Sequence, residues 1–485
     1  TMPYTSPFPP VEVIEETMHA KLIRAFRAHV KEDPAKVALV SADDESSLLT
    51  YAELLVKANA MQAFLQSREV KTGDVVTFVH FNCIEGMIVS LGTWMSGCVI
   101  SGASAFFTTY ELGYQLADSK TSVVVSDEEH LERVLEAARE CENVKTIVCI
   151  RDKGSSFSLP EGVVDFADIM ALRTDNEPVD VTVNSVASLP YSSGTTGAPK
   201  GVMMSHVAIG TGAEISRSRF VGAFGPVITD DGEYQITKEH FLLNLPVYHV
   251  MGFTLLNTSL LGGATVVVMK KFDARLCCAM IQKYKIRFVV AHPPQILPLT
   301  YDPLTADYDL TSLKAVCVGG APLFRAIADE FLAKYPHVRV FTQVFGLTET
   351  GTASNVANLS LPDAHLSVGP PAPNFEHKVV DFDTGVEVAD GSSGELCVRS
   401  PTLMLGYLNR PEATAETIDK DGWLHTGDKA YIDSHGRMRV VGRQKELIKV
   451  FALQVPPTEI ENVLMSHEHV IDAAVVGIPD KEVKS

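Results

Sequence analysis

Short apolar runs rich in β-branched residues alternate with longer, helix-like stretches through much of the chain. The runs lie at residues 75–79, 122–125, 146–150, 265–269, 287–291 and 315–318. Between them, residues 129–138 and 274–285 place apolar side chains at the spacing of a helix face. Buried strands that alternate with helices pack as parallel sheets covered on both faces. The pattern therefore predicts a layered α/β fold.

One loop carries the strongest chemical signal in the sequence. Residues 191–202 read YSSGTTGAPKGV, which combines hydroxyls, glycines and one lysine before an apolar run. Glycines allow a close backbone approach, hydroxyls donate hydrogen bonds and lysine is a mobile cation, a combination suited to a polyphosphate. The loop is not a P-loop, because Pro199 precedes Lys200 and Gly201 follows it. The alternative is a flexible connector.

Composition excludes several classes of function. The chain has 485 residues, of which 46% are hydrophobic and 21% charged, so it can form two or more domains with full cores. Its net charge of −19 argues against a large nucleic-acid interface. Eight cysteines without a CxxC pair predict reduced core residues of an intracellular protein, and no apolar stretch is long enough to predict a transmembrane helix.

Five further motifs follow the loop. They are LPVYH at 245–249, GGAPL at 319–323, FGLTETG at 345–351, GWLHTGD at 422–428 and GRQKELIK at 442–449. In order and spacing the set resembles the adenylate-forming superfamily: acyl-CoA synthetases, 4-coumarate:CoA ligases, beetle luciferases and the adenylation domains of peptide synthetases. The resemblance covers nearly all of residues 20–480, and its pattern is nearest to the 4-coumarate:CoA ligase-like acyl-CoA synthetases.

The resemblance implies a fold in three parts. The layered sheets and a distorted β-barrel near residues 360–442 would form an AMP-binding N-terminal domain over residues 1–442. A hinge at Lys445 would then lead into a small, mobile α+β C-terminal domain over residues 443–485. The chain stops before the family's adenylation lysine, so we expect this domain to be truncated.

The resemblance also implies a reaction and its cofactors. Family members use ATP and Mg²⁺ to convert a small-molecule carboxylate to an acyl adenylate, and most transfer the acyl group to coenzyme A. The implied nucleotide-binding residues are Ser193, Gly194, Thr195, Thr196, Gly197, Lys200, Gly319, Gly320, Ala321, Pro322, Phe345, Gly346, Thr348, Asp428 and Arg443. Within this set, Thr195, Thr196 and Lys200 would hold the β- and γ-phosphates, Phe345 would stack on adenine, and Asp428 would accept from the ribose hydroxyls.

Four residues are implied to act on the reacting groups. Glu349 would bind Mg²⁺, since carboxylate oxygens suit that ion, and Thr348 would donate to the α-phosphate. His249 is expected to orient the substrate carboxylate, although a lone histidine in an apolar stretch is more often a core residue. Lys449 matches the lysine of the thioester-forming step, but Phe451 and Ala452 interrupt the family pattern after it.

Three functions remain open at this point. The favoured one is an acyl- or aryl-CoA ligase, and the alternatives are a luciferase-like monooxygenase or a nucleotide-binding form without turnover. We expect the acyl pocket to be lined by residues 253–256 and 319–321, Val344, Ser354 and Asn355, without a choice between aryl and acyl substrates. The compartment is expected to be cytoplasmic or peroxisomal, and the sequence gives no oligomeric state.

Overall fold

The computed structural model describes residues 3–192, 198–230, 232–360, 367–446, 448–450, 453–455, 457–465, 467, 470 and 472–478. Over these ranges, α-helices lie at Met18–Glu32, Tyr51–Ser67, Gly86–Met95, Thr109–Asp118, Leu131–Ala138, Phe166–Met170, His206–Arg219, Gly225–Ile228, Val250–Leu261, Ala274–Tyr284, Pro293–Tyr301, Arg325–Lys334, Pro411–Thr417 and Pro457–Met465. A π-helical turn at Phe220–Phe224 follows the helix His206–Arg219. No described helix is both long and apolar enough to cross a membrane.

The largest sheet places the loop of residues 191–202 at its edge. Its order is Tyr191–Ser192, Lys200–Ser205, Val186–Ser188, Val99–Gly102, Val75–Val79, Thr121–Asp127, Thr146–Ile150 and Val163–Asp165, and Gly406–Tyr407 also pairs with Lys200–Ser205. The strands from Val186–Ser188 to Val163–Asp165 are parallel, whereas Lys200–Ser205 runs antiparallel to its neighbours. The predicted layered α/β architecture is confirmed.

Two smaller sheets complete the layered part. One has the order His240–Leu243, Thr265–Val268, Val37–Ser41 and Leu48–Thr50, and the other Phe288–Ala291, Ala315–Val318 and Val340–Gln343. The last three strands are parallel, as predicted from the apolar, β-branched runs at 287–291 and 315–318, whereas Val340–Gln343 was not predicted. A short antiparallel pair, Phe345–Gly346 with Ala353–Asn355, follows directly and carries part of the candidate site.

An antiparallel sheet follows in the region where the barrel is expected. Its strand order is Tyr4–Thr5, Glu376–Val380, Gly394–Arg399, Leu424–Ile432 and Met438–Arg443. The side chains of Leu424–Ile432 alternate between buried and half-buried, which is typical of a strand with one face on a core. Beyond it, Ile448–Val450 and Leu453–Val455 form an antiparallel pair before the helix Pro457–Met465.

Local capping and burial in the core stabilise the elements of the layered part. In the helix Tyr51–Ser67, Thr50 and Glu53 form a reciprocal capping box, which satisfies backbone N–H groups at the first turn. The whole strand Val75–Val79 is buried, and the buried indole of Trp94 donates to the carbonyl of Ala187 at 2.8 Å. Seven of the eight cysteines are buried and Cys83 is half-buried, which agrees with the expectation of core residues.

Candidate functional site

Lys200 and Tyr407 meet at the edge of the largest sheet. Lys200 begins the strand Lys200–Ser205, in which Val202 lies opposite Tyr407 on the neighbouring strand. This register brings the Lys200 ammonium to 4.8 Å from the centroid of the Tyr407 ring, within range of a cation–π interaction. The position of the lysine is therefore set by the aromatic ring as well as by its own strand.

Residues 193–197 lie outside the described residues. The predictions for Ser193, Gly194, Thr195, Thr196 and Gly197 therefore stay predictions. The strands on either side of the loop are antiparallel partners, with Ser192 opposite Lys200.

Both flanks of this loop are tied to one cluster of side chains. The phenol of Tyr191 donates to Asp118 at 2.9 Å, and the phenol of Tyr114 donates to the carbonyl of Pro199 at 3.1 Å. Arg410 joins them, since its guanidinium donates to Asp118 at 3.1 Å and to Tyr114 at 3.3 Å. The loop therefore starts and ends on a hydrogen-bonded support that holds its two ends together.

Glu349 lies against the other side of Tyr407. The 3₁₀ turn Thr348–Thr350 presents its half-buried carboxylate, and the phenol of Tyr407 donates to Oε1 at 2.8 Å. Burial and the charge of Glu349 raise the pKa of Tyr407 well above its ordinary value, so the phenol keeps its proton and donates. Glu349, Tyr407 and Lys200 thus form a contiguous group with one anion and one cation.

Phe345 and Thr348 lie within the same short segment as Glu349. Phe345 is half-buried in the strand Phe345–Gly346, where the Ser354 hydroxyl donates to its carbonyl at 3.4 Å. Gly346 is exposed, and a Cβ there would lie 2.7 Å from the carbonyl oxygen of Thr352, so this position requires glycine. Thr348 is half-buried at the start of the turn that carries Glu349.

The segment Gly319 to Pro322 forms a tight turn beside His292. Gly320 has φ +84°, and a Cβ on it would lie 2.5 Å from Nδ1 of His292. That nitrogen donates to the carbonyl of Gly319 at 2.8 Å, which holds the turn against the imidazole. Ala321 and Pro322 are exposed after it.

His249 is a neutral imidazole at the start of a helix. Its Nδ1 accepts the N–H of Met251 at 3.4 Å, so the proton of the neutral ring lies on Nε2. Burial, together with the nearby His292 ring whose centroid is 5.6 Å away, lowers the pKa of His249 to about 4. At neutral pH the residue can donate one hydrogen bond without carrying charge.

Asp428 has a buried carboxylate, and one of its two oxygens has no hydrogen-bond partner among the described residues. The residue is 4% exposed. Arg443 lies opposite it on the neighbouring antiparallel strand, and Nε of Arg443 is 3.5 Å from Oδ1 of Asp428. Oδ2 is buried without a hydrogen-bond partner among the described residues. Burial raises the pKa of Asp428 to about 6, against the lowering effect of Arg443. A buried, unpartnered acceptor of this kind suits the hydroxyl groups of a ligand.

A second polar group supports the strand of Asp428. Glu395 accepts from the N–H of Gly427 at 3.1 Å and from His425 at 2.8 Å, and Cys397 lies 3.5 Å from the same imidazole nitrogen. Hydrogen bonds with Cys397 and Glu395 raise the pKa of His425 to about 10. The protonated imidazole fixes Glu395, which in turn fixes the backbone next to Asp428.

Two predicted lysines lie beyond this group. Lys445 is exposed in the 3₁₀ turn Gln444–Glu446, directly after Arg443. Lys449 lies in the strand Ile448–Val450, opposite Gln454.

An apolar cavity of about 130 Å³ opens beside His249. Its walls come from the end of the helix His206–Arg219, the π-helical turn, the start of the helix Val250–Leu261 and the segment around Phe345. The residues are Ile215, Ser216, Arg219, Phe220, Phe224, His249, Val250, Met251, Thr254, Leu255, Phe288, Val290, Cys317, Gly320, Val344, Gly346, Leu347, Thr352, Ala353 and Val356. Thr254, Leu255, Gly320 and Val344 were expected here, whereas the cavity is not lined by four other expected residues, Phe253, Leu256, Gly319 and Ala321. Ser354 and Asn355, also expected, are fully buried and do not line it.

The structure adds residues that the motifs did not contain. Tyr407 was missed because it lies alone after a glycine, although its strand Gly406–Tyr407 pairs with the loop strand. Asp118 and Arg410 were missed because a sequence gives no sign that side chains this far apart meet. Arg219 was missed because it is one of two arginines at a helix end, and only the fold separates their environments.

The fold and this group of side chains define a nucleotide-binding enzyme, and comparison with known proteins gives the family. The AMP-binding enzyme family matches residues 26–408. Acyl-CoA synthetase 7 of Caenorhabditis elegans is 34% identical over 96% of this chain and 84% of its own length. 4-Coumarate–CoA ligase 1 of Arabidopsis thaliana is 33% identical over 96% and 82%.

A solved structure of similar fold agrees with these relatives. ATP-bound MatB from Rhodopseudomonas palustris is 25% identical and superposes with a TM-score of 0.81, over 96% of this chain and 87% of that one. The chain therefore belongs to the AMP-binding enzyme family, and it is an acid–thiol ligase of the adenylate-forming type.

Proposed function

We propose that this chain uses ATP to convert a carboxylic acid to an acyl adenylate, with release of pyrophosphate, and then transfers the acyl group to the thiol of coenzyme A. The observation that carries this proposal is the group formed by Glu349, Tyr407 and Lys200. It joins a carboxylate, a phenol and an ammonium beside the hydroxyl-rich loop. Adenylation is an in-line displacement that depends on positioning and charge neutralisation, and this group supplies charges of both signs.

Binding of ATP would divide among the parts of the site. Lys200, with Ser193, Gly194, Thr195, Thr196 and Gly197, would hold the β- and γ-phosphates, and Thr348 would donate to the α-phosphate. Phe345 would stack on adenine beside Gly346 and the turn of Gly319, Gly320, Ala321 and Pro322. Asp428 supports a ribose site, because its Oδ2 is buried without a partner among the described residues and both ribose hydroxyls are donors. Arg443 would keep that carboxylate ionised.

Glu349 is the residue that would hold Mg²⁺. Its carboxylate is half-buried and oriented by Tyr407, which fits an ion that prefers hard oxygen ligands and takes one or two carboxylates together with phosphates. When bound, the ion supplies neutralising charge to the triphosphate. The residues of the chain then have the task of holding the triphosphate in line with the attacking carboxylate.

His249 would position that carboxylate. The Nε2–H of the neutral imidazole has no hydrogen-bond partner in the described part of the chain, and the residue lines the apolar cavity in which the organic part of the acid would lie. Because the ring is neutral, it can orient the carboxylate oxygen without removing its nucleophilic charge.

The second step would use the C-terminal segment. We propose that residues 1–442 form the adenylation domain and that residues from 443 onward form a mobile unit which turns about Lys445. In this arrangement Lys449 would act in the thioester-forming step. The thiolate of coenzyme A is a strong nucleophile and the mixed anhydride is already activated, so positioning accounts for most of the catalysis.

A product analysis tests the proposal. The protein is incubated with ATP, Mg²⁺, coenzyme A and a panel of aryl and aliphatic acids, and AMP, pyrophosphate and thioester are quantified. Stoichiometric AMP and thioester are expected. Light emission with a luciferin and oxygen would assign the monooxygenase reaction instead, and binding of ATP without AMP formation would indicate a nucleotide-binding protein.

A further inference from the structure

The apolar cavity beside His249 contains one unexpected charge. Of the described residues that line it, only Arg219 is charged at neutral pH, because His249 has its pKa lowered to about 4. The other lining residues are aliphatic, aromatic, sulfur-containing or small and neutral. If the cavity bound only a hydrocarbon tail, a guanidinium in its wall would not increase the affinity for that ligand. It would lower the stability of the protein, because burial of a charge disfavours folding unless a partner compensates it.

The partners of Arg219 within the described ranges include no anionic group. Nη2 donates to the carbonyl of Ala357 at 2.9 Å, and the centre of the guanidinium lies 3.8 Å from the centroid of the Phe8 ring. Nε is buried and has no hydrogen-bond partner in the described part of the chain. Burial lowers the pKa of Arg219 to about 10, so the group remains cationic at neutral pH.

Arg217 shows the contrast within the same helix. Its guanidinium pairs with Glu214 at 2.7 Å, and it does not line the cavity. Among the described residues no carboxylate lies within 4.0 Å of a nitrogen of Arg219. Of two arginines on the same helical turn, Arg217 is neutralised by Glu214, and Arg219 has no counter-ion among the residues that the structure describes.

We propose that the acid activated by this enzyme carries a second anionic group, remote from the reacting carboxylate, and that Arg219 binds it. The substrate class is therefore a compact dicarboxylic acid that is activated at one end. The inference rests on the proposed function, because it assigns the far end of the same substrate. His249 and Arg219 line one cavity from two different helices, so one carboxylate can lie at each of them. A charge-assisted pair in so apolar a cavity gives strong discrimination against an acid that lacks the second anion.

The test compares matched acids on matched variants. Glutaric, adipic and homophthalic acids are each paired with their monomethyl esters, which keep one carboxylate and neutralise the other. For the wild-type enzyme, kcat/KM of AMP formation is expected to favour at least one diacid over its ester by tenfold or more. Arg219→Met is expected to abolish this preference while retaining activity on the ester, and Arg219→Lys to retain part of it. Arg217→Met is the matched control and should keep the wild-type preference.

Two kinetic results would overturn the inference. One is a wild-type enzyme that favours the ester of every pair, and the other is an Arg219→Met variant that loses activity on diacid and ester to the same extent, as a purely structural arginine would. If no acid yields AMP, the proposed function fails, and the inference is then judged by calorimetric titration of the diacids. Equal affinity of wild type and Arg219→Met for these diacids would overturn it.

Discussion

The phenol of Tyr407 donates a 2.8 Å hydrogen bond to the carboxylate of Glu349, and Nζ of Lys200 lies over the same ring, 4.8 Å from its centroid. Tyr407 therefore bridges the two charged residues proposed to bind the metal and the phosphates. Its place follows from backbone pairing, because its short strand is hydrogen-bonded to the strand that begins with Lys200. The tyrosine is a positioning residue for both.

Tyr407→Phe separates the two roles of this residue. The substitution keeps the ring beside Lys200 and removes the hydrogen bond to Glu349, which is worth about 1.5–3 kcal/mol to a charged acceptor. We expect kcat/KM for ATP to fall by about tenfold, with a higher Mg²⁺ concentration needed for half-maximal pyrophosphate release. Tyr407→Leu, which also removes the ring, should cost more. Unchanged Mg²⁺ dependence in the phenylalanine variant would contradict the positioning role.

Asp428 should make nucleotide binding depend on pH. Its pKa in the empty protein is raised to about 6, and donors from the ribose favour the ionised form. Affinity for AMP should therefore fall as the pH drops below about 6 and stay constant above about 7. Calorimetric titration from pH 5 to 8 measures this, and Asp428→Asn should bind at least tenfold more weakly above about pH 7, with a smaller difference at pH 5, where the wild-type carboxyl is itself largely protonated. A wild-type affinity independent of pH over this range would argue against a ribose contact at Asp428.

The same residue should affect the stability of the empty protein with the opposite trend. Because the folded-state pKa is raised above the ordinary value of 3.8, the folded protein binds this proton more tightly than the unfolded chain. The free energy of unfolding contributed by Asp428 should fall by about 1–3 kcal/mol as the pH rises from about 4 to 6. Urea denaturation at several pH values should show a weaker fall for Asp428→Asn than for wild type.

His249 should act without titrating. With a pKa lowered to about 4, it is neutral throughout the range in which the enzyme is assayed. His249→Ala should reduce kcat/KM for the acid by about tenfold, leave KM for ATP within about twofold, and leave the pH profile between 6 and 9 unchanged. Adenylation kinetics equal to wild type would remove His249 from the site.

The contribution to ATP binding of the hydrogen-bonded cluster that holds the two ends of the loop should be measurable in a variant of Asp118. Its carboxylate accepts from both Tyr191 and Arg410, so Asp118→Ala releases one flank of the loop and the link to the other. We expect the affinity for ATP to fall by about three- to tenfold while KM for the acid stays unchanged. Lys153→Ala, which breaks an exposed ion pair with Asp44, is the control and should alter neither quantity.

The sequence predicted the fold well where local pattern decides it. Runs such as Val75–Val79 are apolar at four of five positions because both faces of a parallel sheet are covered, and the structure buries all five residues, Thr77 included. Element ends were less well predicted: a helix expected from residue 129 begins at Leu131, after a turn in which Asp127 accepts the N–H of His130. Such a cap depends on side-chain geometry that periodicity does not report.

Site residues that belong to sequence motifs were predicted. Residues that join the site only through tertiary contacts were missed. The resemblance named Glu349 and Lys200 but not Tyr407, which touches both. It expected Ser354 to line the acyl cavity, whereas the pleat of the strand Ala353–Asn355 buries that side chain and presents Ala353 instead. Arg219 could not be distinguished from Arg217 in sequence, since their difference lies in which neighbour each side chain reaches.

Isotope transfer tests the central claim of carboxylate adenylation most directly. An acid accepted by the enzyme is labelled with ¹⁸O in its carboxylate and incubated with ATP, Mg²⁺ and coenzyme A, and the AMP and pyrophosphate are examined by mass spectrometry. Attack of the carboxylate on the α-phosphate, followed by thiol transfer, predicts one ¹⁸O atom in each AMP and none in pyrophosphate. Label in inorganic phosphate together with ADP, or AMP that contains no label, would contradict the account.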